Sequence, residues 1–260
     1  VLGPIAGLTE RLAARSLPTD VVQWASPVPF FGELERSRVA TVGINPSNLE
    51  FVDNSGTALT GNHRRLETLT SLELETWLDA NGSTVRSVAK SCSRYFRRNP
   101  YRRWFDVLER VLNVCGHSYY SGNLVAHLDL VAFATAAKWS ALPVSVKRAL
   151  IIEGRSTLAE TIAASDVKLL ILNGRSVAAA FVESTGTALK PTVLPSLALP
   201  RASGRPVPGL RWDGTITHIG TRDLGREVRV VGFNHNLQSS YGVTTEVMRR
   251  IGREIGDAVV

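Results

Sequence analysis

Cysteine is scarce in this chain. Among 260 residues there are two, Cys92 and Cys115. They form no C-x-x-C pair, which excludes a four-thiolate zinc or iron–sulfur site within one chain. The five histidines (His63, His117, His127, His218 and His235) contain no H-x-x-x-H spacing that would present two ligands on one helix face. No metal and no cofactor is therefore expected. The phosphate-cradling glycine motifs are missing too: there is no G-x-x-x-x-G-K-[ST], and no G-x-G-x-x-G follows a strand. That argues against a nucleotide-binding α/β transferase. No apolar run reaches the roughly 18 residues needed to span a bilayer. The opening segment breaks its apolar run at Glu10 and Arg11 and lacks a signal-peptide layout. A cytoplasmic protein with no membrane partner is the expectation.

What is present is ordinary globular chemistry, with 44% hydrophobic and 20% charged residues. That is enough apolar surface for a full core, and too much for a disordered chain. Lys plus Arg number 30 against 23 Asp plus Glu, for a net charge of +7. A positive excess of this size attracts polyanions, nucleic acid first.

Four short apolar runs read as strands: Val39–Val42, Asn123–Val131, Val167–Leu172 and Val228–Gly232. Their near-continuous apolarity, without alternation, predicts strands covered on both faces, as in a parallel sheet. Helical patterns lie between and after them. Trp104–Val114 has its apolar residues at three- and four-residue spacing, with Trp104 and Phe105 expected in the core. Val144–Ser165 holds one or two helices with Gly154 as the break, RSVAAAFVEST follows Asn173-Gly174, and Thr244–Ile255 is amphipathic. Alternating strands and helices predict one α/β domain over 1–260, a three-layer sandwich about a mostly parallel four-stranded sheet. Residues 1–37 are expected as a helical extension. Residues 190–214, with five prolines, are expected as a long surface loop.

In an open α/β sheet, ligands bind beyond the carboxyl ends of the strands. Those ends here carry Gly43-Ile44-Asn45-Pro46-Ser47, then His127 and Asp129, then Asn173-Gly174, then Asn234-His235-Asn236-Leu237-Gln238-Ser239-Ser240. Each alone is also ordinary turn chemistry. In combination, VATVGINPS, HLDLVAFAT, LLILNGRSVAAAF and VVGFNHNLQSSYG resemble the uracil-DNA glycosylase superfamily, over roughly residues 38–245. The first motif is similar to the G-I-N-P form of its mismatch-specific branch. The last lacks the family's Pro-Ser core.

The resemblance implies a uracil-DNA-glycosylase-like fold and a monofunctional DNA glycosylase. Such an enzyme flips a base out of double-stranded DNA and hydrolyses its N-glycosidic bond, leaving an abasic site. It further implies that Asn45, stiffened by Pro46, orients the attacking water. His235 or Asn234 then donates to the departing base, and Leu237 or Gln238 fills the gap left in the duplex. Gly43, Ile44 and Asn173 line the pocket, and Phe51 is a candidate to stack on the flipped base. No lysine is placed for Schiff-base chemistry, Lys138 being the nearest.

Two positions bear on which base is excised. The family often carries an aromatic residue where Ser47 stands, closing the pocket at pyrimidine C5; serine leaves it open. Asp129 falls at the base-reading position, and an ionised carboxylate accepts from the amino group of cytosine while repelling uracil O4. A protonated Asp129 would read uracil instead. His127 shares its strand face. A C5-modified cytosine follows as the expected substrate, such as glucosylated hydroxymethylcytosine in phage DNA, with a defence role. Repair of uracil or mismatched thymine, and a non-catalytic DNA-binding module of the same fold, are the alternatives.

The segment Ser93–Phe105 packs five arginines and five aromatics into thirteen residues. Arg97, Arg98, Arg102 and Arg103 are expected on DNA phosphates, with Asn236 and Ser239 from the last loop beside them. Arg64, Arg65, Arg201, Arg205 and Arg211 add positive charge nearby in sequence. A monomer is expected.

Overall fold

A computed structural model describes residues 1–201, 204–238 and 242–258 of the chain. In chain order the helices and strands are α1 (Leu2–Ala13), β1 (Val39–Gly43), α2 (Gly82–Ser93), α3 (Tyr95–Arg98), α4 (Arg102–Val114), β2 (His117–Ser118) and β3 (Asn123–Asp129). They continue with α5 (Val144–Ala163), β4 (Leu169–Asn173), α6 (Arg175–Thr185), β5 (Pro191–Val193), β6 (Leu210–Ile219), β7 (Arg222–Phe233) and α7 (Thr245–Gly256).

One mixed seven-stranded sheet, with helices around it, runs in the order β2-β3-β1-β4-β7-β6-β5. The strands are parallel from β2 through β7. β6 and β5 extend the sheet antiparallel. The four strands expected from the sequence are its adjacent centre, β3-β1-β4-β7. Every residue of β1 and β4 is buried, as unbroken apolar runs require.

Three further strands, β2, β5 and β6, flank this centre, and the last has a physical reason for escaping notice. β6 and the first half of β7 form a hairpin whose exposed residues alternate with buried ones, so neither reads as a buried run. The hairpin turns at Gly220-Thr221, with Gly220 at φ +59°. The expected 190–214 loop is therefore partly sheet, since β5 pairs with the start of β6. The N-terminal region is α-helical only over α1, with one 3-10 turn at Leu34–Arg36. Further on, Phe31 exchanges backbone hydrogen bonds with His127 of β3, at 2.8 and 2.9 Å.

Gly154 does not break its helix. α5 runs through it without interruption. A Cβ at this position would overlap the Leu130 carbonyl oxygen, so glycine is what lets the helix lie directly on the chain leaving β3.

Among the described residues, no helix is long and apolar enough to cross a membrane.

Candidate active site

The parallel strands β1, β3, β4 and β7 end along one edge of the sheet, and a cleft of about 320 Å³ opens there. That volume is at the small end of ligand pockets. Gly43, Asp129, Asn173 and Asn234 come to it from the four strand ends, and Tyr101 and Trp104 come from the start of α4.

Asn45 lies two residues beyond the end of β1, just before Pro46. Its Nδ2 donates to the Pro46 carbonyl at 3.0 Å and to Thr135 Oγ1 at 3.1 Å. Thr135 in turn donates to the Ala137 carbonyl at 2.8 Å. A carbonyl oxygen only accepts, so these partners fix which end of the amide is which. The Asn45 Oδ1 is left as an acceptor on a residue that borders the cleft. Ile44 and Ser47 border it as well. Pro46 is buried and does not; its part is to anchor Asn45. Ser47 is exposed and small, and its Oγ accepts from the Leu49 N–H at 3.2 Å, capping the 3-10 turn Asn48–Glu50.

His127 and Asp129 are both buried on β3, with His127 Nε2 at 3.3 Å from Asp129 Oδ1. Behind them Thr41 Oγ1 lies 2.8 Å from His127 Nδ1 and 2.6 Å from the Tyr119 hydroxyl. Burial pushes the Tyr119 phenol well above its ordinary pKa, so it keeps its proton. In the His127 tautomer with Nε2 protonated, one direction runs through all four groups: Tyr119 donates to Thr41, Thr41 donates to Nδ1, and Nε2–H donates to Asp129, which then serves as an acceptor. Phe31, Trp104 and Phe105 surround the imidazole, with ring centroids 5.0 to 5.4 Å away.

Glu50 borders the same cleft, and sequence reasoning missed it. It is buried, and the Tyr95 hydroxyl donates to its Oε2 at 2.6 Å. Loss of hydration raises its pKa from 4.5 to about 7; the Tyr95 hydrogen bond and the Arg65 charge pull it down, and the Asp129 charge adds to the rise. Nothing local marks this glutamate, because it sits in a short turn and its hydrogen-bond partner, Tyr95, comes from 45 residues further along the chain.

Several expected roles are corrected. Phe51 is fully buried, edge-on to Trp24, and cannot stack on a ligand in the cleft. Tyr101, Trp104, Phe105 and Trp139 are the aromatics that border it; Phe105 is in the core as expected, and Trp104 is only half-buried. His235 is buried away from the cleft, with Nε2 at 2.5 Å from the Leu197 carbonyl oxygen. Its N–H is therefore spent on the backbone. Asn234 borders the cleft, but both ends of its amide are occupied: Oδ1 accepts from Leu210 N–H at 2.8 Å and Nδ2 donates to the Pro208 carbonyl at 2.9 Å. It clamps the entry to β6.

Leu237 is packed into the core rather than presented as a wedge. Gln238 spans the gap between Asn173 and α4. Its Oε1 accepts from Asn173 Nδ2 at 2.9 Å, and its Nε2 reaches the Trp104 carbonyl at 3.4 Å. The buried Asn173 Oδ1 has no partner among the described residues. Asn236 is exposed at the rim, its Oδ1 accepting from the Gln238 N–H. Ser239 lies outside the described residues.

The arginine cluster divides. Arg97 pairs with Glu33. Arg102 is 3.7 Å from Asp106 and stacks over Tyr120 at 4.5 Å. Arg98 and Arg103 are exposed and make no ion pair among the described residues. Arg65 is committed to the Asn99 and Leu49 carbonyls, and Arg211 to Asp213 and Glu254. Arg175, not anticipated, is exposed at the cleft where α6 begins. Among the described residues, no group of three or more His, Cys, Asp or Glu side chains is arranged to hold a metal ion.

No protein-family model matches this chain, and no curated protein matches it.

Proposed function

We propose that this chain is a monofunctional DNA glycosylase of the uracil-DNA glycosylase superfamily, with that family's three-layer architecture. The observation that carries this reading is the pairing of two fixed groups in one cleft. Asn45 offers a carbonyl oxygen whose direction is set by two donor bonds. Asp129 offers a carboxylate oriented through His127. Hydrolysis of an N-glycosidic bond calls for both: a water held at the sugar, and recognition of the base that leaves.

The base is a C5-modified cytosine, hydroxymethylated or glucosylated. Asp129 as an acceptor favours the cytosine amino group, and the small Ser47 leaves room beside it. Tyr101, Trp104 and Trp139 supply the stacking surface. The outward arginines and the net positive charge favour duplex DNA as the partner, phage DNA among its sources. Acting there, the enzyme serves in defence.

The test is mass spectrometry of free bases released from duplexes holding uracil, mismatched thymine, hydroxymethylcytosine or glucosylated hydroxymethylcytosine. Wild type is expected to release a modified cytosine, and Asn45→Ala to bind the same duplex but release roughly a hundredfold less. Asp129→Asn, which can donate to O4, is expected to shift release toward uracil. Uracil as the preferred product of wild type would discard the cytosine assignment. No release from any duplex would discard the enzyme.

A further inference from the structure

An amide carbonyl orients water well but does not take its proton. Asn45 alone leaves the attacking water fully protonated, and Asp129 is already engaged by His127, whose Nε2 lies 3.3 Å from its Oδ1. Glu50 stands five residues after Asn45 on the same segment and borders the same cleft. Only its Oε2 is bonded among the described residues, to the Tyr95 hydroxyl, which itself accepts from the Tyr101 N–H at 2.8 Å. The groups that act on this carboxyl are Tyr95 from α3, Arg65 from the loop before α2 and Asp129 from β3, and Tyr101 and His127 border the same cleft. Arg65 is held in place by two backbone carbonyls.

We propose that Glu50 is a further catalytic residue, the general base for the water that Asn45 orients; this rests on the glycosylase reading above. In the step, the water oxygen bonds to C1′ of the flipped nucleotide. The N-glycosidic bond breaks and its electron pair leaves with the base. The water proton passes to the Glu50 carboxylate, and from there through solvent to the departing base anion, so the enzyme is returned unchanged. A carboxyl whose pKa lies near 7 is matched to this work, being both available as carboxylate and basic enough to take the proton.

The experiment measures single-turnover release from a duplex carrying hydroxymethylcytosine, plain or glucosylated, between pH 5 and 9. Wild-type rate is expected to rise about tenfold per pH unit below 7 and to level above it. Glu50→Gln keeps the Tyr95 bond and is expected to bind the duplex as wild type does. Its release at pH 8 is expected to be about a hundredfold slower or more, with no inflection. Tyr95→Phe removes a bond that lowers the Glu50 pKa, so its inflection is expected to move to higher pH. Glu50→Gln with the wild-type rate and profile would overturn the proposal, as would a wild-type rate that falls as pH rises, or a Tyr95→Phe inflection that does not move up. These three outcomes leave the glycosylase standing. A wild type that releases no base from any duplex, those carrying uracil or mismatched thymine included, overturns the glycosylase and the role of Glu50 together.

Discussion

Gly43 and Asp129 face each other across the β1–β3 ladder, and a Cβ on Gly43 would overlap Asp129 Oδ1 while standing 3.0 Å from His127 Nε2. The end of β1 is therefore bare so that the two polar side chains of β3 can lie over it. Gly43→Ala is expected to push the pair aside, at a cost of about 1–3 kcal/mol in stability. Base release should fall by about a hundredfold, since a displacement near 1 Å is enough to spoil alignment. Thermal unfolding and base release on the same preparation check this; full activity in Gly43→Ala would mean the position of Asp129 is not critical.

Burial of Glu50 also bears on stability, with a definite sign. Its folded pKa, about 7, lies above the ordinary 4.5, so between these values the folded state holds more protons than the unfolded state. Stability from this group is complete at low pH and is lost as pH rises through that window. Glu50→Gln should match wild type below pH 4.5 and exceed it above pH 7 by up to about 3 kcal/mol. Melting temperatures of both proteins across pH 4 to 8.5 give the answer. Parallel curves would mean that Glu50 does not titrate in this range.

The division of the arginine cluster makes a second pair of variants informative. Arg98→Glu with Arg103→Glu should reduce the slope of log K against log salt by about 2, one for each lost phosphate contact. Arg97→Glu, which already faces Glu33, should change it far less. Binding to a plain duplex between 50 and 300 mM salt distinguishes them. An unchanged slope in the double variant would move the DNA to another face.

Which parts of this protein could be read locally follows from how far each determinant reaches along the chain. The four central strands announce themselves because a strand buried on both faces must be apolar throughout, and Gly, Asn or Asp then stops it. Asn45, Asp129 and Asn173 follow directly, since the ends of parallel strands share one edge of the sheet. The β6–β7 hairpin was not legible, because its outer half is solvated and carries charge between its buried residues.

The last loop shows the limit from the other side. His235 has the side chain that leaving-group chemistry calls for, and a position at a strand end. Its orientation is decided by Leu197, 38 residues earlier, whose carbonyl takes its N–H. Glu50 is the reverse case, an unremarkable glutamate in a turn until Tyr95 and Arg65 are brought against it.

The strand centre, the polar residues at its ends and the net positive charge are written in the order of the residues alone. These depend on local polarity and on spacing, which the chain carries in its order. Tertiary structure alone decided that Glu50 enters the cleft, that His235 leaves it, that Gly43 makes room for Asp129, and which arginines keep their charge for a partner. Each of those outcomes depends on desolvation and hydrogen bonding between groups distant in the chain, and such contacts exist only once the sheet has formed.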